Sequence, residues 1–195
     1  AAMGILIALM GARQSGKGQY VDTAMFDGAL SLGAWNVCGC FAEGRDAEPE
    51  GGILTGQLAC YNIYETADGR CISLGAVEAH LWAKFCDAVG RPEYARLQRE
   101  PSCQAEMKAE LARIFAGKTL AEWKEALADV DCCWSPVATV GEALEDPQVK
   151  SRGMVIEMTD PRGEYGTVKM LGNPIKLSET PAQAELFPPR QGEHT

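Results

Sequence analysis

Long apolar runs are missing from this chain. The longest covers only residues 5–10, against the roughly 20 needed to cross a bilayer, so no membrane span is expected. No basic flank precedes that stretch: the first cations, Arg13 and Lys17, come after it, which argues against a secretory signal. Histidine is scarce, with only His80 and His194, and the eight cysteines (38, 40, 60, 71, 86, 103, 132 and 133) form no Cys-x-x-Cys pair. The usual zinc frameworks are thereby removed, and no metal is expected. Buried, reduced thiols suit these positions better than disulfides and point to the cytoplasm. Basic residues are also in the minority, 18 against 27 acidic ones for a net charge of −9. Without a basic run there is no general surface for nucleic acid or anionic membrane, so an anionic ligand would be held by a few local cations or backbone amides. Position 1 is not methionine, and an internal piece of a longer chain is expected.

What is present is a globular composition, 46% apolar and 23% charged over 195 residues, enough for one domain or two small ones. Residues 3–12 are apolar on nearly every side and read as a helix buried all round. A second helix is expected over 23–37, with Asp22 as its N-cap. The polar stretch 42–56, broken by Pro49, Gly51 and Gly52, reads as a linker. Two alternating segments, 61–65 and 70–74, flank Ala67-Asp68-Gly69 as a hairpin. Helices follow over 78–89, stopping at Gly90 with Pro92 beyond, over 106–115, and from a capping box at Thr119 and Glu122. A short strand over 132–137, a short helix over 140–144, a hairpin of 154–158 with 167–170, and a loose tail after 180 complete the reading.

Three motifs bear on chemistry. Gly11 through Gly18 fits the phosphate-loop pattern until Gly18, which stands where a magnesium-binding Ser or Thr is required; the preceding segment also reads as a helix instead of a strand. A glycine turn between packed helices is the better reading. Cys132-Cys133-Trp134 shows no neighbouring base or helix N-terminus to generate a thiolate, so strand packing is preferred. Glu78 directly follows the apolar strand 72–77 and opens a helix, where the dipole favours a carboxylate and where side chains emerge at a sheet edge. The residues alone leave two readings open, a solvated first-turn acid or a functional carboxylate. Nearby His80 is a possible acid or base, but a partly buried, neutral side chain is the simpler expectation.

Arg13-Gln14-Ser15-Gly16-Lys17-Gly18-Gln19-Tyr20-Val21-Asp22, with Met25-Phe26-Asp27-Gly28, resembles the GxGQxVD segment and following helix of the family III CoA-transferases. This family, also called CaiB/BaiF, includes formyl-CoA transferase, carnitine CoA-transferase and α-methylacyl-CoA racemase. The resemblance continues through Tyr64-Glu65-Thr66-Ala67-Asp68-Gly69-Arg70, Leu74-Gly75-Ala76-Val77-Glu78, Asp146 through Met154, and Gly172 through Pro181, in the family's order and across nearly the whole chain.

The resemblance implies an α/β fold: a Rossmann-like large domain, partial here, with an inserted smaller α+β domain, in an interlocked homodimer. Residues 1–41 and 146–195 would belong to the large domain and 57–145 to the small one, with 42–56 as linker. The implied activity is transfer of CoA between an acyl-CoA thioester and a carboxylic acid, with no permanently bound cofactor. The nucleophilic aspartate would lie upstream of this chain, and Asp22 does not match its position. In the racemase branch Glu78 resembles one of two bases on opposite faces of the α-carbon, although Ala79 and His80 depart from the Pro and polar residue usual there. The family's Gly-rich loop has a scattered counterpart in Gly51, Gly52 and Gly56. A non-catalytic truncated or heteromeric subunit is the competing class.

Overall fold

A computed structural model of the chain describes residues 1–184 and 186–193; His194 lies outside the described residues. The elements run α1 (Ala2–Ser15), α2 (Met25–Leu32), α3 (Ala34–Glu43), β1 (Tyr61–Glu65), β2 (Cys71–Gly75), α4 (Ala79–Ala88), α5 (Gln104–Phe115), α6 (Leu120–Ala126), β3 (Trp134–Pro136), α7 (Val140–Glu145), α8 (Pro147–Ser151), β4 (Val155–Thr159) and β5 (Thr167–Leu171). Two 3₁₀ turns, Pro92–Leu97 and Pro101–Cys103, join α4 to α5. The chain divides into two compact units, Ala1–Trp134 and Ser135–Thr195. The fold class is mixed α/β with small sheets, ordered β1-β2-β3 and β4-β5.

In the first unit the expected hairpin forms, antiparallel, with Tyr61 opposite Gly75 and Tyr64 opposite Ile72. Gly69 takes the left-handed conformation of the turn, φ +69°, where a side chain would be strained. Alternation places Ile72 and Leu74 on the buried face. Against them α5 presents Gln104, Met107, Leu111 and Phe115, three or four residues apart and all buried, the spacing of one helical face. From α4 come Leu81, Trp82, Phe85 and Cys86, and from α6 Leu120 and Trp123. Among the described residues every buried apolar side chain falls within Leu58 to Cys132, so this segment holds the core. The Thr119–Glu122 capping box is formed in both directions, and a second one joins Thr139 and Glu142 on α7.

Several expectations are corrected. The helix expected over 23–37 is two helices separated at Gly33, whose low intrinsic helicity offers a breaking point. Asp22 is not the N-cap: Ala24 is, without a side-chain cap bond. Residues 3–12 are helical but not buried, since Leu6 and Ile7 are 59% and 62% exposed and α1 contributes no buried residue. Periodicity reports which residues could be buried, whereas burial needs a covering surface, and none of the described residues supplies one for α1. Strand β3 is shorter than expected because Cys133 has a positive φ of 52°, outside the extended region.

In the second unit β4 and β5 form the expected antiparallel hairpin, Val155 opposite Leu171 and Thr159 opposite Thr167. Its loop winds around Asp160, a buried residue. The carboxylate accepts from the backbone N–H groups of Arg162, Glu164 and Tyr165 and from Arg162 Nε, at 3.0–3.2 Å.

Candidate functional site

Glu78 stands at the turn from β2 into α4. Three backbone bonds shape that turn: Gly75 N–H donates to the Cys133 carbonyl at 2.7 Å, Ala76 N–H to Cys60 at 2.9 Å, and Val77 N–H to Gly75 at 3.0 Å. Glu78 is the N-cap of α4, with extended backbone (φ −72°, ψ 132°), and its carbonyl accepts from Leu81 and Trp82 at 3.1 and 3.0 Å. Its side chain makes no capping bond and is exposed. The carboxylate therefore sits at the N-terminal end of a ten-residue helix without being consumed in capping it.

His80 is exposed on the first turn of α4, which corrects the expectation of a partly buried imidazole; the core-facing positions of α4 are Leu81, Trp82, Phe85 and Cys86. One turn further, Lys84 Nζ lies 2.9 Å from Asp131 Oδ2. The hydrogen bond and charge of Lys84 hold the Asp131 carboxyl below the usual carboxylate range, with a smaller contribution from His80. Cys132 is buried, and burial, then the neighbouring Cys133 and Asp131, push its thiol up to about 11. Cys86 is pushed up to about 12, chiefly by burial. All eight cysteines are unpaired.

Near Gly75, an open cleft of about 520 Å³ is lined by Gly56 and by the hairpin residues Tyr61, Asn62, Ser73 and Gly75. Gly56 is the one glycine among Gly51, Gly52 and Gly56 with a positive φ, +106°. Its carbonyl is held by Lys108 Nζ at 3.2 Å and Asn62 Nδ2 at 3.4 Å. The phosphate-loop-like stretch lies elsewhere, at the C-terminal end of α1, where Gly16 is a left-handed cap and its N–H donates to the Ala12 carbonyl. Helix carbonyls face this turn, the opposite of what a phosphate requires. Among the described residues no group of three or more His, Cys, Asp or Glu could hold a metal ion, and no helix is long and apolar enough to cross a membrane.

Sequence reasoning passed over Gln98 and Gln104, which are buried at 7% exposure each, Gln98 against the turn that leads into Glu78. In the polar stretches Arg96-Leu97-Gln98-Arg99 and Ser102-Cys103-Gln104 nothing marks either as interior; only the core spacing of Gln104 with Met107 offered a signal.

The candidate site is thus an exposed carboxylate without a capping bond where a strand passes into a helix of a mixed α/β chain. The profile of CoA-transferase family III matches residues 1–195, and the chain belongs to this family. It is 33% identical to the alpha-methylacyl-CoA racemase of Mus musculus, covering 99% of this chain and 50% of that protein. It is 32% identical to the formyl-CoA:oxalate CoA-transferase of Bradyrhizobium diazoefficiens, covering 100% of this chain and 51% of that protein. Among solved structures, Rv3272 from M. tuberculosis superposes with a TM-score of 0.77 at 25% identity, covering 99% of this chain and 51% of that one. A CAIB/BAIF family protein from Brucella suis gives a TM-score of 0.74 at 25% identity, over 98% of this chain and 50% of that one. The chain thus spans about half the length of the curated relatives it matches.

Proposed function

We propose that this chain is the C-terminal part of an acyl-CoA enzyme that transfers CoA between an acyl-CoA thioester and a carboxylic acid. The observation that carries the reading is the full-length family match, with relatives named as CoA-transferases aligning over 92–100% of the chain. In this reading an aspartate carboxylate outside the chain attacks the thioester carbonyl and expels CoA as thiolate, forming a mixed anhydride. The thiolate then attacks the aspartyl carbonyl of the anhydride, releasing the first acid and leaving an enzyme-bound thioester. The acceptor carboxylate attacks that thioester, again releasing CoA thiolate, and the thiolate takes the acceptor's acyl group while the aspartate is regenerated. No permanently bound cofactor is required, and the setting is cytoplasmic.

For the whole protein the reading includes a Rossmann-like large domain built from residues 1–41 and 146–195 with the missing part, a small domain over 57–145, and an interlocked homodimer. The exposed apolar side chains of α1 to α3 are consistent with surfaces covered in such an assembly.

One observation favours a second reading, α-methylacyl-CoA racemisation: Glu78 is exposed and makes no capping bond. There Glu78 removes the α-proton, electrons shift onto the thioester carbonyl, and a proton returns on the opposite face from a base outside this chain. The discriminating experiment incubates the whole protein with an acyl-CoA and a free carboxylic acid in deuterated water. A new thioester supports transfer; α-deuteration without acyl exchange supports racemisation instead. Glu78→Gln abolishes deuteration in the second reading and leaves CoA transfer largely intact in the first.

A further inference from the structure

Two buried glutamines connect the turn carrying Glu78 to the rest of the core. Gln98 Nε2 donates to the carbonyls of Ala76 and Val77, both at 2.9 Å, the two peptide groups immediately before Glu78. Only the amide end of the side chain can face two carbonyls, so chemistry settles the orientation of Gln98. Gln104 Nε2 donates to the backbone carbonyls of Gln98 and Glu100 at 3.1 and 2.9 Å, while its Oε1 accepts from Ala59 N–H at 2.9 Å. On the other side, Trp82 Nε1 donates to the Tyr94 carbonyl at 2.8 Å. The 3₁₀ turn Pro92–Leu97 is thereby pinned to the helix that Glu78 opens, and Gln98 follows it directly. The contacts close a circuit: Glu78 starts α4, α4 holds Tyr94, and the segment after Tyr94 returns through Gln98 to the carbonyls ahead of Glu78.

We propose that Gln98 is a positioning residue for Glu78: by holding the Ala76 and Val77 carbonyls it sets where the Glu78 carboxylate projects from the sheet edge. The proposal rests on the reading of Glu78 as a functional carboxylate. Glutamine fits this task because both donors of one amide reach adjacent carbonyls, whereas a glutamate would set its own oxygens against them. A placement error of about 1 Å costs on the order of 100-fold in rate where geometry governs reaction, so the anchor has leverage without touching substrate.

The test uses the whole protein with Gln98→Met, which keeps length and burial but cannot donate. Should that variant not fold, Gln98→Asn keeps the donors and draws them back from the carbonyls by about one bond, roughly 1.5 Å. The first readout is amide hydrogen exchange. Exchange at the bonded amides of this turn, Val77, Leu81 and Trp82, is expected to accelerate about tenfold or more, the 1.4 kcal/mol scale of one lost bond, while α5 and α6 keep their protection. Unchanged exchange at these amides would overturn the anchor whatever the activity of the protein. The second readout is a cycle with Glu78→Asp, which keeps a carboxylate on a shorter stem, on α-proton exchange, for which Gln98→Met is expected to lower kcat about 10- to 100-fold with KM for the CoA thioester within about twofold. In the Glu78→Asp background, where the carboxylate is already displaced, Gln98→Met is expected to cost less than about twofold. An equal loss in both backgrounds shows that Gln98 acts on folding or binding at large, and positioning falls. If Glu78→Gln leaves every activity unchanged, the functional reading of Glu78 fails and the positioning role with it; the exchange experiment still decides the anchor.

Discussion

Tyr64 on β1 and Phe115 at the end of α5 stack with ring centroids 5.0 Å apart and planes inclined by 18°. Phe115 continues the stack to Phe85 at 5.8 Å and meets Trp123 at 5.0 Å, so one ring joins the hairpin, α4, α5 and α6. Tyr64 completes its place by donating from its hydroxyl to the Ala59 carbonyl at 2.7 Å.

Removing that ring leaves a cavity at the centre of the core. Phe115→Ala is expected to lower the stability of the first unit by about 3–5 kcal/mol, with the slope of a urea titration unchanged. A loss under about 1 kcal/mol would mean that the aromatic cluster is not the centre of the core.

The capping box of α6 supports a smaller expectation with a pH signature. Thr119→Ala is expected to cost about 1 kcal/mol. The Glu122 carboxyl is held low by the Thr119 backbone N–H and then by its hydroxyl, against burial. A depressed folded pKa stabilises above the unfolded value, and that contribution is lost as pH falls through the folded one. Glu122→Gln should therefore flatten the acid limb of a stability-against-pH curve below about pH 4.3; an unaltered limb contradicts the box.

Asp160 organises the loop of the second hairpin. Burial acts to raise its pKa, but the Arg162 backbone N–H, the Arg162 side chain and the Tyr165 N–H outweigh it and hold the carboxyl below the usual range. The stabilisation is present above the unfolded carboxylate value of about 3.9 and fades as pH drops through the lower folded value. Asp160→Asn retains shape but loses the charge that Arg162 pairs with. Nuclear magnetic resonance of the Arg162 to Tyr165 amides should show their downfield positions collapse in this variant at neutral pH, and in the native chain only in strong acid.

Gly172 follows β5 with its N–H bonded to the Met154 carbonyl at 2.9 Å. A Cβ at this position would collide with the Gly153 carbonyl oxygen. Gly172→Ala is expected to destabilise the second hairpin by about 1–3 kcal/mol, as overpacking does, seen as a lower melting temperature. A stabilised variant would refute the close approach.

The isolated 195-residue chain is expected to self-associate. Met25, Phe26 and Leu32 on α2 are 94%, 77% and 91% exposed, and Trp35 and Phe41 on α3 are 66% and 84% exposed, the kind of patch that drives association. Size-exclusion chromatography with light scattering checks this, and Phe26→Glu with Leu32→Glu should shift the profile toward monomer. A monodisperse monomer of the unaltered chain would contradict it.

The sequence by itself determined the elements whose causes are local. The hairpin around Ala67-Asp68-Gly69, the Thr119–Glu122 box, the face of α5 and the stop of α4 near Gly90 rest on turn conformation, capping bonds and helical spacing. These forces act over a few residues and can be read in order along the chain. Placement of Glu78 between strand and helix was legible for the same reason, and ordered motifs carried the family. Tertiary structure alone decided what depends on distant neighbours. Gln98 is interior because the carbonyls of Ala76 and Val77 need donors there. His80 is exposed because the core lies on the opposite side of α4, and α1 stays uncovered despite its apolar sides. Whether a side chain is buried is a property of the surface it meets, and that surface is assembled from residues far away in sequence.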